Sequence, residues 1–442
     1  MLRTFTDIFK VPELKRKILF TLGIIAAYRL GAAVPISGVN PEALKALFDA
    51  HKNSLLGFMD MFSGGAMSKL SVFSLGIMPY INASIIMSLL QGMHVIPFID
   101  RLAKEGESGR KKISQITRYA TVVLSIVQGF GLTIAISKMP VPGNMTIVEN
   151  PTMGFYILTV ITLVTGTMLV MWLGEQITQF GIGNGISLMI FAGIVDRLPG
   201  AIKDFYNLFR MQEISLITSV LLLFLVLLVT GVVIWVETAQ RKIPVQYAKR
   251  IVGRKMVGGA STFLPLKVDQ AGVIAVIFAI SVLSAPLTLM QFLQNYPLAQ
   301  NIMSFWQRGS WLYELIYALL IVFFCYFYNS IIINPNDMAE NMKKWGGFIP
   351  GIRPGEATAK HIQKIIERIT LGGALFVVAI AIMPDLLRSM FNAPFFFGGT
   401  ALLIVVGVSL DTIGQIESQM IMRHYEGFMK NGRIKGRWFN IK

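Results

Sequence analysis

The residues best suited to acid–base or metal chemistry are four histidines, His51, His94, His361 and His424, and no two of them stand at a ligand spacing. There is no G-x-x-x-x-G-K-[ST] loop. The run GIGNG at Gly181 to Gly185 lies between two apolar stretches instead of following a strand, so a nucleotide fingerprint is rejected. Five carboxylates, Glu175, Asp196, Glu314, Asp411 and Glu417, fall near the ends of apolar stretches, where an interfacial place suits them better than a proton relay. The single cysteine, Cys325 in LIVFFCYFY, forbids an intrachain disulfide. An enzyme is therefore not expected, nor is a cofactor or a metal. What remains is basic and presented on turns: Arg254-Lys255 beside Gly253, and Arg353 within PGIRPG.

The elements that must carry these turns are apolar. Over half of the 442 side chains are hydrophobic, about one in seven is charged and the mean hydropathy is +0.61, which rules out an ordinary soluble enzyme. A span takes ~20 apolar residues, so ten spans would use roughly 200 positions and leave the rest for loops. Uncharged windows mark the spans, because a charge at the bilayer centre costs at least ~2.5 kcal/mol. They run from Ser71 to Ile99, Tyr119 to Ser137, Asn150 to Gly174, Gln176 to Val195, Ile214 to Val236, Gln270 to Gln307, Leu315 to Asn336, Ile369 to Pro384 and Ser389 to Leu410. An earlier one, Ile18 to about Pro35, is interrupted only by Arg29, which can snorkel to the interface. Polar QNYPLAQN should end the seventh helix near Leu293. The expected fold is thus an all-α polytopic membrane protein with ten transmembrane helices.

Ten spans place both ends on one side, and 30 of the 40 basic residues fall on that side, so both termini are expected in the cytoplasm. The excess of 16 positive charges is mostly orientation and not nucleic-acid affinity. MLRTFTDIFKVPELKRK is amphipathic and basic without a small-residue cleavage pattern, so no cleavable signal is expected. The chain divides into a cytoplasmic N-terminal segment (1–17), a first half with spans one to five (18–205), a second half with spans six to ten (206–415) and a basic tail (416–442). An odd number of spans per half reverses the polarity of the second, which permits an inverted repeat. Two cytoplasmic segments, 237–268 and 334–368, are longer than turns need. Their alternating pattern around Gly253 and the fixed turn at Pro350, Gly351, Pro354 and Gly355 suit docking surfaces for a large partner, ribosomal RNA or protein.

Between the first two spans, FMDMFSGGAMSKLSVF is too polar to span and too apolar for a plain solvated loop. Composition favours a surface loop with an interfacial helix. The other reading is a movable segment tucked into a cavity with Ser63-Gly64-Gly65 as hinge, since irregular backbone at membrane depth must be buried in protein or line water.

The runs MDMFSGGAMSKLSVFSLGIMPYINASIIMSLLQ, GIGNGISLMIFAGIV, YAKR…GR with STFLPLKV, and FIPGIRPGEATAKHI closely resemble the SecY family, the central channel subunits of the bacterial Sec protein-export translocon. The resemblance extends in order from PELKRKILF to the tail. It implies two inverted five-helix halves around an hourglass pore in the bacterial plasma (inner) membrane, conducting unfolded secretory polypeptides and releasing transmembrane segments sideways into lipid. By position in those strings, the pore ring would be Ile81, Ile85, Ile186, Ile190, Ile277 and Ile404. The pairs 81/85 and 186/190 each share a helix face. A dry aliphatic ring can gate ions by dewetting and still yield to a moving chain. The plug would be Met61, Phe62, Ser63, Gly64, Gly65, Ala66, Met67, Ser68, Lys69, Leu70 and Ser71. The lateral gate would lie between the second and seventh spans, with the third and eighth beside them. Implied partners are the subunits SecE and SecG, the motor SecA or a ribosome docking at Arg254, Lys255 and Arg353, signal sequences, nascent chains and membrane lipid. One departure is VLSAPLTLM in the seventh span, where many bacterial relatives carry an aromatic before the proline, so detailed gate contacts do not transfer. An inverted-repeat secondary transporter of a small solute is the alternative, and it would need a polar site at mid-membrane.

Overall fold

The computed structural model describes residues 11–50, 60, 63–93, 96–138, 146–148, 152–212, 215–247, 250–252, 255–257, 261–290, 310–391 and 399–431. From the N-terminal end the helices are α1 (Pro12–Ala32), α2 (Pro41–Ala50), α3 (Met78–Gly92), α4 (Pro97–Lys104), α5 (Glu107–Lys138), α6 (Met153–Phe180), α7 (Gly185–Val195), α8 (Leu198–Arg210) and α9 (Leu216–Thr238). Strands β1 (Gln240–Tyr247), β2 (Arg250–Val252), β3 (Lys255–Val257) and β4 (Ser261–Lys267) come next. The rest comprises α10 (Gly272–Met290), α11 (Trp311–Ile332), α12 (Pro335–Lys344), β5 (Gly347–Phe348), α13 (Glu356–Phe391) and α14 (Gly399–Asn431).

Local sequence explains many of the starts. A proline in the first turn, where an amide hydrogen would have no partner, opens α1, α3, α4, α8 and α12. Asparagine side chains cap α7 and α12: Asn184 accepts from the amides of Ile186 and Ser187, and Asn334 from that of Asn336.

Each uncharged window carries a helix. Among the described residues, seven helical stretches are long and apolar enough to cross a bilayer, within α5, α6, α7 with α8, α9, α11 with α12, α13 and α14. Two of the three helices in the remaining windows fall short for visible reasons: Lys15, Arg16 and Lys17 lie in the first turns of α1, and α3 has 15 residues. The third, α10, has 19 residues, of which Gly272–Ser284 are described with their side chains as an apolar stretch. Residues 291–309, with QNYPLAQN, lie outside the described set. The border drawn at 205/206 falls inside α8, and the one at 415/416 inside α14.

Neighbours in sequence pack together in both halves: α3 on α5, α5 on α6 and α6 on α7, then α10 on α11, α11 on α13 and α13 on α14. The halves meet where α10 packs on α3 and α5, and again where α14 packs on α7. One large hydrophobic cluster draws side chains from both halves.

The two long segments expected to be separate loops form one body. β1 and β4 pair antiparallel from Gln240↔Lys267 to Gln246↔Ser261, and β2 pairs β3 with Val252 opposite Lys255. β5, a hundred residues on, pairs with the other edge of β1 through Gln246↔Phe348. Ile243, Leu266, Ile349 and Ile362 fill the small core beneath.

Candidate functional site

Five of the six isoleucines, Ile81, Ile85, Ile190, Ile277 and Ile404, are at most 7% exposed and belong to the one cluster shared by both halves, with half-buried Ile186 packed against it. They come from α3, α7, α10 and α14. Helical spacing brings 81 with 85, and 186 with 190, to one face. The cluster is built from apolar side chains, so a closed arrangement offers an ion nothing to replace its water.

The described residues between α2 and α3, 60 and 63–77, are mostly buried and do not form a surface loop. Met61 and Phe62 lie outside the described residues; of the rest, Ser63, Gly64, Ala66, Met67, Leu70 and Ser71 are buried, Gly65 and Ser68 half-buried, and Lys69 exposed. The backbone of this segment turns through one short 3-10 turn, Met67–Lys69, after which Leu70 takes a left-handed conformation at φ 40°. Two glycines on neighbouring helices make room for Val72 and Phe73. A methyl on Gly166 of α6 would lie 1.9 Å from the Val72 carbonyl oxygen, and one on Gly31 of α1 2.1 Å from the Phe73 ring. Burial of irregular backbone requires partners for its polar groups, and they are present. Gly65 N–H donates to the Asp60 carbonyl (2.9 Å), Ser71 N–H to Ala66 (2.9 Å) and the Ser74 hydroxyl to Ala66 (3.0 Å). The extended chain after α1 holds the far end, through Ile36 N–H to Leu70 O (2.9 Å) and Val72 N–H to Val34 O (3.1 Å).

Sequence reading missed the charged groups around this segment. Arg29, expected to snorkel, donates from Nη1 to the Gly64 carbonyl (3.0 Å) and pairs with Asp196 (3.2 Å). Its Nη2 donates to the Ala192 carbonyl. Arg197 pairs with Asp60, whose other oxygen accepts the Ser68 amide at 2.7 Å. The signal available was that Arg29, Asp60, Asp196 and Arg197 all belong to one side of the predicted topology.

Other span-end carboxylates are also paired: Glu175 with Arg118 (2.8 Å) and Asp411 with Lys267 (3.6 Å). Among the described residues no group of three His, Cys, Asp or Glu is placed to hold a metal. The GIGNG turn is a junction. Ile182 N–H donates to the Thr21 hydroxyl (3.1 Å) and Gly183 N–H to Gln415 Oε1 (2.9 Å), which ties α1 and α14 to the start of α7.

On the strand-bearing body, Arg353 is exposed on a turn built by Gly351 at φ +80° and Gly355 at φ +110°. Its carbonyl accepts the Thr358 hydroxyl (2.8 Å), and buried Ile349 and Ile362 anchor the flanks. Lys255 lies on β3, whose side chains are not described, and Arg254 lies outside the described residues. At the foot of this body, Asp269 caps α10 by accepting the Gly272 amide (2.6 Å). Burial pushes its carboxyl up to about 6, although that bond and nearby Lys267 pull the other way.

A model of the SecY family matches residues 71–413. The chain belongs to the SecY family. It is 46% identical over 427 residues to protein translocase subunit SecY of Escherichia coli K12, covering 96% of each chain. The SecY of Aquifex aeolicus is 45% identical over 424 residues, covering 96% of this chain and 98% of its own. The fold resembles a solved protein-conducting channel with TM-score 0.64 at 18% identity, covering 92% of both chains. It also resembles Sec61 in a canine ribosome–channel complex from the endoplasmic reticulum, with TM-score 0.59 at 16% identity and 92% of both chains. All six isoleucines and Arg353 lie within the stretch that the SecY family model matches.

Proposed function

We propose that the chain is the protein-conducting channel of a bacterial Sec translocon, passing unfolded secretory polypeptides across the plasma membrane and releasing transmembrane segments laterally into lipid. The observation that carries this beyond family membership is the large hydrophobic cluster to which α3 and α7 of one half and α10 and α14 of the other contribute isoleucines. In this reading there are ten spans in two inverted halves around an hourglass pore. The repeated packing order α3-α5-α6-α7 and α10-α11-α13-α14 supports it. Ile81, Ile85, Ile186, Ile190, Ile277 and Ile404 form the pore ring, and residues 61–71 the plug that covers it from outside.

The chemistry of the ring dictates how it would work. An aliphatic ring makes no directional bonds, so it closes by excluding water and reopens around whatever chain is driven through it. A signal sequence would part α3 from α10 and leave sideways, driven by burial of its apolar run in lipid. SecE and SecG would clamp the channel. SecA or a ribosome would dock on the body that exposes Arg353, with Arg254 and Lys255 as the further contacts by sequence, and positive charge suits either an acidic protein surface or RNA phosphate. The 46% identity to a protein translocase subunit SecY over nearly the whole chain supports this reading and not a small-solute transporter.

Orientation and partners are testable together. Both termini and the strand-bearing body are expected in the cytoplasm, and Cys325 is buried, so Lys242→Cys on exposed β1 gives a nearly background-free probe. It should resist a membrane-impermeant maleimide in intact cells and react after lysis. The tagged chain should also co-purify with two small membrane proteins and support motor-driven uptake of a secretory precursor by vesicles. Labelling in intact cells would reverse the topology, and vesicles that take up no precursor would refute the function.

A further inference from the structure

Asp60 and residues 63–74, most of them buried, are held in two unlike ways. The second part of this segment, around Leu70 and Val72, is fixed by backbone hydrogen bonds to the chain just after α1, at Val34 and Ile36. Its first part is held by charge. Arg197, at the α7–α8 junction, pairs with Asp60, and Arg29 reaches the Gly64 carbonyl while pairing with Asp196. Tyr28, with the Arg29 guanidinium 5.6 Å from its ring centroid, donates its hydroxyl to the Ser63 carbonyl (3.2 Å). Asp60 is the link inward: its second oxygen takes the Ser68 amide, and its carbonyl takes the Ser63 hydroxyl (3.0 Å) as well as the Gly65 amide.

We propose that Asp60 and Arg197, with Arg29 beside them, are positioning residues that latch this segment in the closed channel and thereby set how strong a signal sequence must be to open it. The proposal rests on the reading of the chain as a plugged protein-conducting channel and names what regulates that plug.

The physical reason for using charge lies in reversibility. The Asp60 side chain is 6% exposed and that of Arg197 37%, so the carboxylate has left water and depends on its partner. Removing the guanidinium alone leaves a buried charge uncompensated and favours displacement of the whole segment. When the segment swings out on its own, both groups regain water, so the latch resists small shifts more than full release. Leu70, left-handed at φ 40°, opens the backbone-fixed part directly after the charged part, where a pivot is needed. A destabilised closed state needs less binding energy from its substrate to open, so stringency falls as the latch weakens.

The test uses the full chain in its native membrane complex, with two readouts: resting ion conductance in planar bilayers, and export in cells of a reporter whose signal sequence is crippled. Asp60→Asn keeps an acceptor for the Ser68 amide and removes only the charge, so it should fold; Arg197→Gln removes the other partner. Each should raise both readouts roughly tenfold, with export of a normal precursor unchanged. Reversing the pair, Asp60→Arg with Arg197→Asp, should bring both back toward the parent. Deletion of residues 63–70 serves as reference. If the deletion leaks and the single variants stay as tight as the parent, the latch is wrong and the channel reading stands. If the single variants leak and the reversed pair leaks as much, direct pairing is wrong. If the deletion neither leaks nor relaxes stringency, the plug reading fails and the latch with it.

Discussion

A methyl group on Gly64 would lie 2.9 Å from the Cα of Gly193 and 2.8 Å from Nη1 of Arg29. The backbone of the buried segment thus touches the backbone of α7 directly, at a residue whose φ of +66° already disfavours a side chain. Gly64→Ala is expected to lift the segment out of register while leaving the helices folded. Resting conductance should rise several-fold with little change in the melting midpoint in detergent. A variant as tight as the parent would show that this contact does not position the seal.

The isoleucine cluster makes a second prediction. Ile81→Asn together with Ile404→Asn places amides where five of the six side chains of the proposed ring are buried, so water can remain and the dewetting barrier should fall. Conductance is expected to rise modestly with residues 63–70 present and strongly, about tenfold or more, when they are deleted. Unchanged conductance in both backgrounds would remove these residues from the ring.

Arg353 lies on a rigid exposed turn outside the small core of its body, so Arg353→Glu should leave expression and melting unaltered. Reversal adds repulsion to a lost contact, and motor-driven uptake by vesicles should drop about tenfold or more. Normal uptake would exclude the turn from docking.

Asp269 supplies a pH dependence. Its carboxyl rises from the ordinary 3.8 to about 6 in the folded chain, so the folded state holds the proton more tightly than the unfolded one. Stability contributed by this group is therefore full below about pH 4, falls as pH rises toward 6 and stays lost above. Asp269→Asn keeps an acceptor for the Gly272 amide and should stabilise the protein at pH 7.5, by on the order of 2 kcal/mol. The gap between the melting midpoints of parent and variant should narrow as pH falls below 6 and close near pH 4. A gap independent of pH would assign the effect to packing.

How much was legible in the sequence depends on which interactions are local. The helices in the uncharged windows, the prolines and asparagines that start them, the alternating strands on either side of Gly253 and the turn that carries Arg353 all depend on residues within a few positions of each other. So does the distribution of basic residues between alternate loops. Composition sufficed for these because a bilayer excludes charge one segment at a time.

Composition could not decide which apolar faces meet, because lipid is as apolar as a protein interior. Ile85 and Ile86 are neighbours of one type, yet Ile85 is 2% exposed in the central cluster and Ile86 is 46% exposed. Only the packing of α10 and α14 against α3 and α7 separates them. The segment after α2 reads by composition as a surface loop, and it is buried because Gly31 and Gly166, on two other helices, leave room for it. The same limit hid the pairing of β5 with β1 and of Asp60 with Arg197, 137 residues apart. A charge near a span end satisfies the orientation rule whatever its partner, so the sequence determined that these charges sit at the membrane boundary, and the tertiary fold alone decided that they close on one another around a buried loop.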